Sequence, residues 1–154
     1  FVEWAKIYDW PYIKISSGDA NNRPLIDAAY ATGKPLLISL GCSETPSWYH
    51  RYRTDRLIPM HCTSEYPTSQ DHVGFDRLLD LLVDWPKAGY SDHTIGITAC
   101  VAAAAMGAVV IEKHFTSAVL FCASETKNLN FRSEFLTVQR PEFFFVSDDL
   151  QWIP

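Results

Sequence analysis

The chemistry available to this chain rests on two histidines, a glutamate, a lysine and a few serines. His93 in "AGYSDHTIG" (88–96) and His114 in "IEKHF" (111–115) stand about one strand–helix unit apart. At the carboxyl ends of adjacent parallel strands, roughly 5 Å apart, their imidazoles could share a divalent cation. The plainer role for each is a local hydrogen bond. Glu112 lies on the same pleat face as His114, so its carboxylate can enter the same cavity. There it can move protons or face a developing positive charge. Its plainer role is an ion pair with Lys14 or Lys113. Lys14 interrupts an apolar run, and a lysine is rarely buried without a partner, so its position suits a bound anion. Ser17, Ser39 and Ser91 close successive apolar runs, and with nearby helix N-termini they form a plausible phosphate cradle.

These residues need a frame that lines up the ends of several strands. Five short apolar runs supply it: 12–17, 35–39, 57–62, 87–91 and 108–114. Their apolar character is continuous rather than alternating, as expected of parallel strands covered on both faces. Helical stretches separate them. Asn21 and Asn22 can cap a helix with Pro24 in its first turn and Gly33 as its stop. Residues 73–85 place Phe75, Leu78, Leu79, Leu82 and Trp85 on one side, and Pro86 follows. The small residues of 96–106 allow close approach to a sheet, and residues 1–8 read as the end of an earlier helix. The segment 45–56 is expected to be a solvated helix carrying Arg51, Arg53 and Arg56; a phosphate-contacting patch is the other reading.

Repeated strand–helix units with right-handed crossovers make either an open doubly wound sheet or an arc of a (β/α)8 barrel. Both hold ligands at the carboxyl ends of the strands, where Ser91, His93 and Glu112 fall, as do His61, Cys62 and Thr63. The chain has 154 residues, 47% hydrophobic and 20% charged, a globular composition with room for a core. Its net charge of −5 disfavours a nucleic-acid partner. No charge falls between Thr94 and Ile111, but the run is Ala- and Gly-rich and broken at 106–108, so a helix and a buried strand are expected rather than a membrane span. Cysteines 42, 62, 100 and 122 form no CxxC pair, and no basic, apolar leader opens the chain. Reduced thiols in a cytoplasmic protein are the expectation. The absence of an initial Met points to a processed or partial sequence.

Five segments, "KISSGDANNRPLI" (14–26), "TGKPLLISLG" (32–41), "HCTSEYPT" (61–68), "GYSDHTIGI" (89–97) and "GAVVIEKHFT" (107–116), follow one another in an order and spacing that resembles the N-acetylneuraminate (sialic acid) synthase family. The resemblance covers residues 1–116. It implies α/β architecture: parallel (β/α) units forming the later part of a TIM-type (β/α)8 barrel, with about five strands present. It implies condensation of phosphoenolpyruvate with an N-acetylated amino-sugar aldehyde such as N-acetylmannosamine, with release of phosphate. On the matching motifs it implies that His93 and His114 ligate Mn2+ or Mg2+, and that Lys14, Ser17, Ser39, Ser64, Tyr66 and Ser91 bind substrate. Glu112 would stabilise a cationic intermediate or handle protons.

The chain departs from the family pattern in several places. Leu40 stands where the family has Thr, and the link from Gly41 to His61 is short, so a stunted helix is expected there. The family's first three strands and its small antifreeze-like domain have no counterpart. Residues 117–154 form a divergent segment of unknown structure. A five-strand arc has two open edges. The isolated chain is therefore expected to form homo-oligomers or to associate with missing barrel segments, and to have negligible activity alone. A non-catalytic role, binding a full-length synthase or a sugar acid, is the alternative.

Overall fold

The computed structural model describes residues 2–8, 10–52 and 56–114. After a short helix α1 (Val2–Ile7), strands β1 (Ile13–Ile15), β2 (Leu36–Ser39), β3 (Leu57–His61), β4 (Gly89–Asp92) and β5 (Ile111–Lys113) form one sheet. Helices α2 (Arg23–Tyr30), α3 (Phe75–Asp84) and α4 (Thr98–Ala105) fall between them. Every neighbouring pair is parallel, and the order in the sheet is the order in the chain. Each strand is shorter than the apolar run expected to form it, and β4 ends one residue beyond its run, at Asp92.

Register sorts the side chains into two layers. Lys14 pairs with Leu37, Leu37 with Ile58, Ser39 with Met60, Met60 with Gly89, and Ser91 with Glu112. Residues paired across parallel strands share a face, and alternate residues face oppositely. One face therefore carries Lys14, Ser39, Ser91 and Glu112 above an apolar floor of Leu37, Ile58, Met60 and Val110. The other face packs on the helices. Ile13, Ile15, Leu36 and Ile38 meet Ile26 and Ala29 of α2, while Tyr90 and Ile111 meet Leu78 of α3 and Ala99 and Ala103 of α4.

The sheet is curled. Lys14 on β1 lies 3.3 Å from Glu112 on β5. In a flat sheet, four steps of about 4.8 Å would hold those strands roughly 19 Å apart. Only a rolled sheet lets its first and last strands meet across the inner face, so the five strands form a half-barrel.

Local chemistry sets the helix ends. The Asn22 side chain accepts from the Leu25 N–H at 3.3 Å, Pro24 sits in the first turn, and Gly33 follows at φ 83°. In α3 the buried side differs from the expected one. Leu78, Leu81 and Trp85 are buried, whereas Leu79 is 48% exposed. The stripe on the sheet thus runs through Leu81. The segment after β2 also departs from expectation: it is a 3-10 helix (Ser47–Tyr52), not a solvated α-helix. Three residues per turn stack Tyr49 over Tyr52 on one side, and both are buried. Tyr49 donates to the Ala20 carbonyl at 2.6 Å, and Tyr52 donates to Asp27 on α2. Arg56 lies over the Tyr30 ring at 4.0 Å, a cation–π contact away from the strand-end site. The apolar run 94–111 is divided between α4 and β5, and no helix among the described residues is long and apolar enough to cross a membrane. The divergent segment 117–154 lies outside the described residues.

Candidate active site at the carboxyl ends of the strands

The inner face ends in a compact polar group. Lys14 donates to Ser39 Oγ at 2.9 Å and to its neighbour's carbonyl, Ile15 O, at 3.2 Å, while its Nζ lies 3.3 Å from Glu112 Oε2. Glu112, Ser39 and Ser91 are all buried, and Ser91 stands opposite Glu112 in the ladder. A lysine held among a carboxylate and hydroxyls can exchange those partners for a bound anion. Cys62 is buried beside the same group; burial raises its thiol pKa against the opposing pull of Ser39 and Lys14.

A second group sits at the rim. Ser17 Oγ and Ser64 Oγ are 3.2 Å apart, and Cys42 Sγ lies 3.6 Å from the first and 3.4 Å from the second. Hydrogen bonds with Ser64 and then Ser17 lower the pKa of the exposed Cys42 thiol. Gly41 makes this packing possible: a Cβ there would fall 2.3 Å from Ser64 Oγ and 2.6 Å from Cys62 Sγ. Ser17 and Ser64, both expected to bind substrate, thus stand together, with Cys42 beside them. A turn of 3-10 helix (Ser17–Asp19) directly after β1 carries its hydroxyl to the rim.

The third group is aromatic. The rings of His93 and His114 are 5.3 Å apart between centroids, and Tyr66 lies 4.1 Å from the first and 5.7 Å from the second. His93 Nδ1 is 2.7 Å from the Thr63 carbonyl, which can only accept, so Nδ1 carries the proton and Nε2 keeps its lone pair. The Tyr66 hydroxyl donates to that Nε2 at 3.1 Å. Thr68 N–H donates to the His93 carbonyl at 2.9 Å, so the loop after β3 grips His93 through ring and backbone. Burial, outweighing the Thr63 hydrogen bond, pushes the His93 pKa down and favours the neutral ring.

Two imidazoles at this spacing could hold a divalent ion between them. Among the described residues no group of three or more His, Cys, Asp and Glu side chains converges to cage a metal. Among the described residues, the share of such a site would be the imidazole pair, with further positions for water or substrate.

Asp92, between Ser91 and His93, points the other way. It is fully buried on the helix side, where it meets Lys113 at 2.6 Å. Alternation predicts this, since Asp92 and Lys113 each precede an inward-facing histidine. Burial would raise its pKa, but hydrogen bonds from Lys113, Thr94 N–H and Cys100 outweigh that and hold it below the usual range. His61 also faces the helix layer, 2.7 Å from the Val73 carbonyl and stacked on Tyr90.

Burial lowers the His61 pKa, so the ring is neutral in the folded state while the unfolded chain protonates it near pH 6.5. Below that pH the unfolded state takes up a proton that the native state refuses, and stability falls until the folded pKa is reached. Melting midpoints should drop from pH 7.5 to pH 5, and His61→Phe should flatten the slope. An unchanged slope would place the effect on other groups.

The family model described as the NeuB family matches residues 2–125. Among characterised relatives, the N,N'-diacetyllegionaminic acid synthase of Legionella pneumophila is 36% identical over 115 residues, covering 68% of this chain and 32% of that protein. The N-acetylneuraminate-9-phosphate synthase of Drosophila melanogaster is 35% identical over 123 residues, covering 75% and 33%. The crystal structure of the N-acetylneuraminic acid synthetase of Leptospira borgpetersenii, in complex with citrate, superposes with a TM-score of 0.66 at 29% identity, over 74% of this chain and 42% of that one. The chain spans about a third of the length of the curated relatives it matches.

Proposed function

This chain belongs to the NeuB family, and on that premise we propose that it carries the enolpyruvyl- and metal-binding half of a nonulosonic acid synthase. The reaction joins phosphoenolpyruvate to an N-acetylated amino-sugar aldehyde such as N-acetylmannosamine and releases phosphate. The observation that carries the reading is the meeting of Lys14, Ser39 and Glu112 within 3.3 Å, at the end of the half-barrel that also holds the His93–His114 pair.

In this reading Lys14 neutralises the phosphoenolpyruvate anion, and the hydroxyls of Ser39 and Ser91 orient it from the neighbouring strands. Ser17 and Ser64 hold its outer oxygens at the rim. Mn2+ or Mg2+ held by His93 and His114 would polarise the aldehyde oxygen as a Lewis acid. The methylene carbon of phosphoenolpyruvate bonds to the aldehyde carbon, whose carbonyl electron pair moves to its oxygen and takes up a proton from water, and the adjacent enol carbon becomes an oxocarbenium ion. Glu112, buried and freed from Lys14 once the anion occupies it, faces that cation and takes a proton from the water that adds there. Phosphate then leaves from the tetrahedral carbon. Tyr66, 62% exposed beside both imidazoles, is placed to meet the sugar.

Among the described residues, β1 and β5 each have a strand on one side only. That observation favours a second reading: the chain completes its barrel with further strands or a second copy, or serves without turnover as a partner of a full-length synthase. Titration calorimetry with phosphoenolpyruvate, beside a phosphate-release assay with N-acetylmannosamine and Mn2+, tests both. Saturable binding is expected, with negligible turnover by the 154-residue chain alone. Binding of neither phosphoenolpyruvate nor Mn2+ would overturn the proposal, and turnover without binding of a partner would remove the second reading.

A further inference from the structure

We infer that Asp92 and Lys113, on the side of the sheet facing away from the site, are positioning residues that set the spacing of His93 and His114. The inference rests on the metal reading given above. β4 ends at Asp92 and β5 ends at Lys113, and those two residues pair in register. His93 and His114 are the next residues along, just past the point where the ladder can hold them. A separate clasp takes over there. Lys113 Nζ donates to Asp92 Oδ2 at 2.6 Å and to the Thr94 carbonyl at 2.7 Å. Asp92 Oδ1 accepts from the Thr94 N–H at 2.9 Å and from the Tyr90 hydroxyl at 3.1 Å. Asp92 Oδ2 also accepts from Thr94 Oγ1 and Cys100 Sγ, both at 3.1 Å.

One ammonium thus ties the residues on both sides of His93 to the residue before His114. A shift between the ends of β4 and β5 would have to stretch these bonds before it could change the 5.3 Å between the rings. Removing two charges from water costs so much that a buried pair seldom stabilises a fold more than apolar residues would. Specifying a geometry is the better-supported use of such a pair, and here the geometry is that of two metal-ligating rings. Asp92 is fully buried and the Lys113 side chain is 14% exposed, so neither reaches substrate.

The test compares Mn2+ affinity, read by electron paramagnetic resonance, with melting midpoint in the full chain. Lys113→Met should weaken Mn2+ binding roughly 10- to 100-fold, the usual range for groups that orient ligands. It should also lower the midpoint, because Asp92 is left buried without its cation. The double variant Asp92→Asn/Lys113→Met removes both charges. It should regain most of the midpoint while Mn2+ binding stays at least about tenfold weak. Thr94→Val removes one hydrogen bond and no charge; it should melt near the wild-type temperature and bind Mn2+ several-fold more weakly. Wild-type Mn2+ affinity in the folded double variant and in Thr94→Val would overturn the inference. His93→Ala serves as the reference: equal Mn2+ binding by it and the wild type would overturn the metal reading itself, and this inference with it.

Discussion

Lys14→Met should abolish useful binding of phosphoenolpyruvate and destabilise the fold together. Two losses coincide at this position. The anion loses its cation and a hydrogen-bond donor, and truncating one partner of a desolvated charge pair costs about 2–5 kcal/mol of binding, or at least about 30-fold in affinity. Glu112 meanwhile stays 3% exposed with the Lys14 ammonium gone. Stranding a buried charge costs about 3–5 kcal/mol, and the lower end applies here because Lys14 is 26% exposed and water can screen its pair. Chemical denaturation and calorimetry on one protein preparation read both effects. Glu112→Gln separates them. It releases Lys14 from its internal partner, so phosphoenolpyruvate should bind as well as in the wild type or better, while any turnover disappears. Wild-type affinity in Lys14→Met, or lost affinity in Glu112→Gln, would remove Lys14 from the anion site.

His93→Ala and His114→Ala should each lower Mn2+ affinity by at least about 100-fold, since one imidazole alone is a poor site for a divalent ion. The two variants should differ in their side effects. The His93 ring donates from Nδ1 to the Thr63 carbonyl, so its loss removes that bond on the loop that carries Ser64 and Tyr66, while the backbone bond from the Thr68 N–H remains. Phosphoenolpyruvate binding should therefore weaken several-fold in His93→Ala and stay near wild type in His114→Ala. Tyr66→Phe removes the hydroxyl that donates to His93 Nε2 at 3.1 Å, the nitrogen the metal would take. That variant should bind Mn2+ at least as tightly as the wild type. Titration of Mn2+ followed by electron paramagnetic resonance reads all three. Full Mn2+ affinity in both histidine variants would place any metal elsewhere.

The strand ends were legible because alternation and apolar continuity are local properties. Runs ending in Ser39 and Ser91, and Glu112 two residues before the end of the last run, announce inward-facing polar groups, and the strand–helix period sets His93 and His114 on adjacent strands. The same alternation in "SDH" and "EKH" turns Asp92 and Lys113 toward the helices, on the face opposite the two histidines. Cys42 and Gly41 carried no such signal, since their role depends on how closely Ser64 approaches from another strand.

By itself the sequence determined five parallel strands and their order along the chain, because periods of 2 and 3.6 are written in neighbouring residues. Tertiary structure alone decided the rest. It curled the sheet so that Lys14 met Glu112 across it, brought Ser17 against Ser64, made Leu81 rather than Leu79 the buried residue of α3, and tightened residues 47–52 into a 3-10 turn. Those outcomes depend on twist summed over several strands and on volumes left between layers. No short window of residues contains either quantity.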